Sequence, residues 1–124
     1  MKKAIATTAA PGAIGPYSQA IDAGSFVFVS GQIPVVPETG EIPESISAQA
    51  AQSLKNLSAI LDAADLTTAN VVKTTVFLAD MADFAAMNAE YAKAFAEPYP
   101  ARSAVAVREL PKGVLVEIEA IAVK

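Results

Sequence analysis

From Ser45 onward the apolar positions fall into a three-to-four-residue rhythm. Ile46, Ala50, Leu54, Leu57, Leu61 and Ala64 share one face of a helix that runs to about Ala64. Before it, "SFVFVSGQ" is short, aromatic and β-branched, the composition of a strand. It lies between two loops rich in proline and glycine, "PGAIGP" at 11–16 and "PVVPETGEIP" at 34–43. A preceding strand over about Tyr17 to Asp22, joined through Ala23-Gly24, makes a hairpin with it. After the helix, Val71 to Leu78 reads as a strand with Lys73 as its one charge. Asp80 can cap a second helix whose inner face carries Phe84, Met87, Tyr91 and Phe95, admits Asn88, and ends by Pro98. Residues 103–109 and 114–123 form two further strands around "LPKG", and "KKAIAT" supplies a first one.

The order β-β-β-α-β-α-β-β favours an α+β fold, a mixed sheet with both helices packed on one face. Its other face needs a cover, and the long apolar strand "VLVEIEAIAV" suggests another subunit. A tight hairpin centred between Pro111 and Lys112 would set Ala106 opposite Glu117 and Ala104 opposite Glu119. Both glutamates would then share a face with Arg102. Ser103, Val105, Val107, Val114, Val116 and Ile118 would line the other face, under the helices.

Composition narrows the chemistry. With 124 residues, 53% of them hydrophobic and 18% charged, the chain makes a single domain over 1–124 with a sizeable core. A net charge of -4 argues against a sequence-independent nucleic-acid binder, which needs basic surface to displace counterions from phosphate. The absence of cysteine rules out disulfides and thiolate chemistry, and the further absence of histidine argues against a zinc or other soft-metal site. "MKKAIATTAAPGA" resembles a signal peptide only faintly, because Thr7, Thr8, Pro11 and Gly12 interrupt its apolar stretch. No run approaches the roughly 18 apolar residues of a membrane span. The expectation is a soluble, cytoplasmic protein. Arg102, one of two arginines among nine basic residues, sits in "EPYPARSAVAV" at the start of a strand and heads the short list of reactive groups.

Five segments carry a resemblance: "IGPYSQA" at 14–20, "SGQIPVVPETGEIP" at 30–43, "VVKTTVFLADMADFAAMNAEY" at 71–91, "YPARSAV" at 99–105 and "LPKGVLVEIEAIAV" at 110–123. Together they resemble the reactive intermediate deaminase A, or YjgF-type, family from end to end. The resemblance implies a chorismate mutase-like fold and a homotrimer with active sites in the clefts between subunits. It also implies hydrolysis of enamine and imine intermediates, such as 2-aminoacrylate and 2-aminocrotonate from pyridoxal-phosphate-dependent dehydratases, to 2-keto acids and ammonia, with no cofactor of the protein's own. On this resemblance Arg102 grips the substrate carboxylate and distinguishes the deaminase subgroup. Glu117 holds the attacking water, and Tyr17, Ser30, Gly31 and Asn88 line the cleft. Ala104 stands where many relatives have cysteine, and the contact attributed to that position is a main-chain one, so activity should survive the difference.

Blander roles stand beside these. Arg102 could pair with Glu117 or Glu119 as an interfacial salt bridge, Tyr17 could be an ordinary core or interface aromatic, Ser30-Gly31 a strand end, and Asn88 a bond to a neighbouring loop. Two other functions fit the same residues: a binding or chaperone-like module that anchors small carboxylates without turnover, and RNA cleavage or translation inhibition, which is also attributed to family members. The acidic balance and the lack of histidine count against the second.

Overall fold

The computed structural model describes all residues, Met1–Lys124. Strands β1 (Lys3–Ile5), β2 (Ala20–Asp22) and β3 (Phe26–Gln32) precede helix α1 (Ile46–Ala63). They are followed by β4 (Val71–Leu78), α2 (Phe84–Ala94), β5 (Ala101–Ala106) and β6 (Val116–Val123). The expected order of elements is therefore present. The Ser45 side chain accepts from the Ala48 N–H and starts α1 at the expected residue. Asp80 caps a short helical turn, Met81–Asp83, that leads into α2 rather than α2 itself. The strand expected from Tyr17 is shorter and begins at Ala20, since the Tyr17 N–H turns back to Gly15 O.

The six strands form one mixed sheet in the order β1-β2-β3-β6-β4-β5. All neighbours are antiparallel except β4 and β5, which run parallel with Thr74 opposite Arg102. Strand β6 lies between β3 and β4, with Gln32 and Val76 both opposite Ile118.

This order overturns the expected final hairpin. β5 and β6 do not pair, and β4 separates them, so the alignments of Ala106 with Glu117 and of Ala104 with Glu119 do not occur. The cause is local. "LPKG" contains two successive residues with left-handed backbone, Lys112 (φ 57°) and Gly113 (φ 66°), and it swings the chain away from β5 instead of folding it back. The Val107 N–H then donates to Leu78 O and the Ala79 N–H to Leu115 O, so both flanks of the turn attach to β4. Strand β6 buries Val116, Ile118, Ala120 and Ala122 at every second position, which suits the central place it takes over the helices.

Both helices cover one face, as expected. Leu57, Ile60 and Leu61 of α1 and Met87 of α2 are fully buried against Val27, Val76, Leu78, Val116 and Ile118. α1 also buries two amides. Gln49 accepts from the Leu115 N–H (2.8 Å) through Oε1 and donates to Pro43 O (2.8 Å) through Nε2. Asn56 Nδ2 donates to Ile33 O (3.2 Å) and Val35 O (2.9 Å). These bonds hold the 33–43 loop and the entry to β6 against the helix. The opposite face of the sheet is open, and Phe26, Phe28 and Val105 are each 45% exposed on it.

Candidate active site

Register decides what can meet. The row Thr74–Arg102 continues to Ala120, and the next row of the same parity is Val76–Ala104–Ile118. Thr74, Val76, Ile118 and Ala120 are buried, so Arg102 and Ala104 lie on the helix side of the sheet. Glu117 shares a row with Phe77 and Val105, and Glu119 with Thr75 and Ser103, on the open side. The two glutamates and Arg102 thus occupy opposite faces, contrary to the expected shared one. Ser103 and Val105 belong with the glutamates and are exposed, not packed under the helices.

On the helix side, Arg102 is half-buried at the edge strand β5. Its Nη1 donates to Asn88 Oδ1 (2.7 Å), and its guanidinium carbon lies 4.7 Å from the ring centre of Tyr91 and 5.3 Å from that of Phe84. All three partners lie on one face of α2, at spacings of three and four residues. No carboxylate of the chain pairs with it, since the only ion pairs are Lys93–Glu90 and Lys124–Asp22. Arg102, Asn88, Tyr91, Tyr99 and Pro100 border a cleft of about 470 Å³. A half-buried guanidinium with most of its five donors unused, and no counter-charge, has the chemistry to receive an anion with paired oxygens.

The second cluster lies about β3. Gly31 stands under the Glu117 side chain so closely that a Cβ there would come within 2.9 Å of Glu117 Cδ and overlap a carboxylate oxygen. A larger residue at position 31 would displace the Glu117 carboxylate from this place. Burial raises the Glu117 pKa above its usual value of 4.5, and the neighbouring Glu119 charge pushes the same way. Ser30 Oγ donates to Ser18 O (2.6 Å) and the Ser30 N–H to Gln19 O (3.0 Å), which ties the segment carrying Tyr17 to β3. Tyr17, 54% exposed, borders a cleft of about 260 Å³ with Gly12, Ile14 and Gly31.

The seven residues singled out in the sequence therefore form two groups. Arg102, Asn88 and Ala104 stand at β5 and α2, and Tyr17, Ser30, Gly31 and Glu117 gather about β3 and β6. Asn88 bonds Arg102 rather than a loop, and Ser30 braces the Tyr17 segment. Phe84 and Tyr91, read from the sequence as core, prove to flank the arginine; their shared helical face with Asn88 was the available signal. No group of three or more potential ligating side chains forms a metal site. No helix is long and apolar enough to cross a membrane.

The chain is thus an α+β protein with an unpaired, cradled arginine on one side of its sheet and a glutamate seated over a glycine on the other. The sequence family described as Endoribonuclease L-PSP matches residues 7–124, and the chain belongs to this family, to which the YjgF-type proteins also belong. It is 57% identical to the 2-iminobutanoate/2-iminopropanoate deaminase of Salmonella typhimurium, over 100% of this chain and 99% of that protein. A RutC family protein of Haemophilus influenzae is 58% identical, over 100% and 98% of the two chains. The crystal structure of Escherichia coli TdcF with bound serine superposes with a TM-score of 0.95 at 54% identity, covering 98% of each chain.

Proposed function

We propose that this chain is a 2-iminobutanoate/2-iminopropanoate deaminase, hydrolysing 2-imino and 2-enamino acids to 2-keto acids and ammonia. The observation that carries the reading is Arg102, half-buried, held by Asn88 and lacking any carboxylate partner in its own chain. Full-length identity to relatives bearing that activity supports it, and so does the serine bound by TdcF, a small molecule with the same carboxylate.

In this reading the Arg102 fork takes the substrate carboxylate in two parallel charge-assisted bonds. The enamine, protonated at carbon, becomes the iminium. Glu117, on its glycine seat, orients a water and accepts its proton as the oxygen adds to the C=N carbon. Glu117 passes that proton to nitrogen, and the C–N bond breaks to release ammonia. The adduct's hydroxyl proton leaves to solvent as the C=O bond forms, replacing the one taken up at carbon, so the keto acid is left with no net change in oxidation. A carboxylate made more basic by burial suits this step. Positioning supplies most of the remaining effect. Because the two groups occupy opposite faces of one sheet, the complete site forms between subunits, with Arg102, Asn88 and Ala104 from one and Tyr17, Ser30, Gly31 and Glu117 from the next. A homotrimer with three such clefts fits, and burial of Phe26 and Phe28 would accompany its assembly.

The test couples a serine or threonine dehydratase to lactate dehydrogenase. Added protein should speed keto-acid appearance beyond the uncatalysed hydrolysis of the released imine. A rate no faster than buffer, with serine and threonine alike, would leave only the carboxylate-binding module. RNA cleavage is disfavoured by the net charge of -4 and the absence of histidine.

A further inference from the structure

In the proposed site Arg102 takes the substrate and Glu117 the water, and the geometry points to a further residue that acts through the first of them: Tyr91 is a positioning residue that sets the plane of the Arg102 guanidinium. This inference rests on the carboxylate-anchor reading of Arg102 and adds the cause of its selectivity. Three observations converge. The Tyr91 ring centre lies 4.7 Å from the guanidinium carbon, closer than that of Phe84 at 5.3 Å. The Tyr91 hydroxyl and Thr74 Oγ1 share a buried bond of 2.6 Å, and Thr74 is the residue directly opposite Arg102 in the parallel register. Asn88, one turn earlier on α2, holds Nη1 from the side.

The ring is thus tethered at its far end to the strand that neighbours the arginine's own. Helix α2 and strand β4 fix the aromatic plane, and the aromatic plane fixes the fork. Phe95 packs behind Tyr91 with ring centres 4.6 Å apart and limits its tilt. A guanidinium attracted to the ring face keeps its edge, where the N–H donors lie, free for the cleft. An arginine on an edge strand would otherwise sample many rotamers, and the loss of that freedom would weaken each bond it makes. Preorganisation of this kind separates carboxylates from neutral analogues, because only a carboxylate accepts both parallel bonds.

The experiment compares wild type, Tyr91→Leu, Tyr91→Phe and Thr74→Val. Binding of 2-oxobutanoate and of its neutral amide is measured by calorimetry, alongside the chemical shift of the Arg102 Nε–H by nitrogen-edited NMR. In wild type the ring current displaces that resonance from its free position. Tyr91→Leu should return it toward the free position and lower the preference for carboxylate over amide by about tenfold. Tyr91→Phe keeps the ring and loses only its tether, so it should retain most of the displacement and lower the preference by about threefold. Thr74→Val, which removes the tether while leaving every ring, should lower the preference by about threefold and gain nothing further when combined with Tyr91→Phe. Should Tyr91→Leu unfold, Tyr91→Phe and Thr74→Val, which keep every ring and remove only the hydroxyl bond, carry the test through the tether. A preference and resonance unchanged in the ring- and tether-lacking variants would overturn the role, as would equal losses for carboxylate and amide, the signature of a structural residue. Failure of the carboxylate-anchor reading shows separately, as wild type binding acid and amide alike.

Discussion

At the scale of single residues, Arg102 and Glu117 are each set in an environment that a conservative replacement tests. Arg102→Lys keeps the charge and most of the stem but loses the planar fork, along with its fit to Asn88 Oδ1 and to the Tyr91 face. Losing a charge-assisted bond of this kind amounts to about 1.5–3 kcal/mol, so deaminase activity in the coupled assay should drop more than tenfold. Folding and assembly, followed by circular dichroism and sedimentation, should remain near wild type. Near-full activity would reduce Arg102 to a generic positive charge. For Glu117 the consequence appears in the pH dependence of stability. Its folded-state pKa lies above the free value of 4.5, first because burial disfavours the charge and then because Glu119 stands nearby. The folded chain therefore keeps this proton to higher pH than the unfolded chain does. The associated stability is fully present below the free value and is lost as pH rises through the folded one. Glu117→Gln, which holds the shape without the charge, should gain stability relative to wild type as melts proceed from about pH 4 to about pH 7. A constant difference across that window would show that the carboxylate titrates as it does in the unfolded chain.

At the scale of elements, α1 does more than cover the sheet, because its buried amides hold loops that the sequence pattern leaves free. Gln49→Leu fills similar space but strips partners from the Leu115 N–H and Pro43 O. Two stranded backbone groups should cost about 2–4 kcal/mol in chemical denaturation, whereas a loss under about 1 kcal/mol would mean that water replaces the amide. The pattern did not foretell this role, since Gln49 and Asn56 interrupt an otherwise apolar stripe and look like helix-flank residues until their loop partners are in place. What was legible in the sequence was local. Ser45 and the spacing from Ile46 to Leu61 defined α1, "VVKTTVFL" matched β4 residue for residue, and proline and glycine bounded the loops. Strand order was less legible, because pairing belongs to distant segments. Consecutive strands around a short turn suggest a hairpin, yet β5 finds its hydrogen bonds parallel to β4 and leaves β6 to enter between β3 and β4. That one exchange reversed the faces. The proposed site residues were named from the family resemblance, whereas their division into two groups follows from the sheet order. The aromatic cradle was hidden for another reason: rings at helical spacing read as core, and Tyr91 is indeed buried while also meeting the arginine.

At the scale of the whole molecule, the proposed division of the site across subunits makes a sharper prediction than oligomer size alone. The open sheet face exposes Phe26, Phe28 and Val105 in one chain, a cluster suited to burial against another copy. If Arg102 of one subunit works with Glu117 of the next, Arg102→Lys and Glu117→Gln proteins are each inactive for a different missing half. Unfolding the two together and refolding them at equal concentration yields mixed oligomers. Some interfaces then unite the intact arginine of the Glu117→Gln chain with the intact glutamate of the Arg102→Lys chain. Random assembly places one interface in about four in that arrangement, so activity should recover to about a quarter of wild type. The same proteins mixed without unfolding should stay near their separate values until subunits exchange, which provides the internal control. A site built within one chain gives the opposite result, because every chain in the mixture still lacks one half. Recovery at about a quarter would therefore place the reacting groups on neighbouring subunits, and its absence after confirmed subunit mixing would confine the chemistry to one face of one sheet.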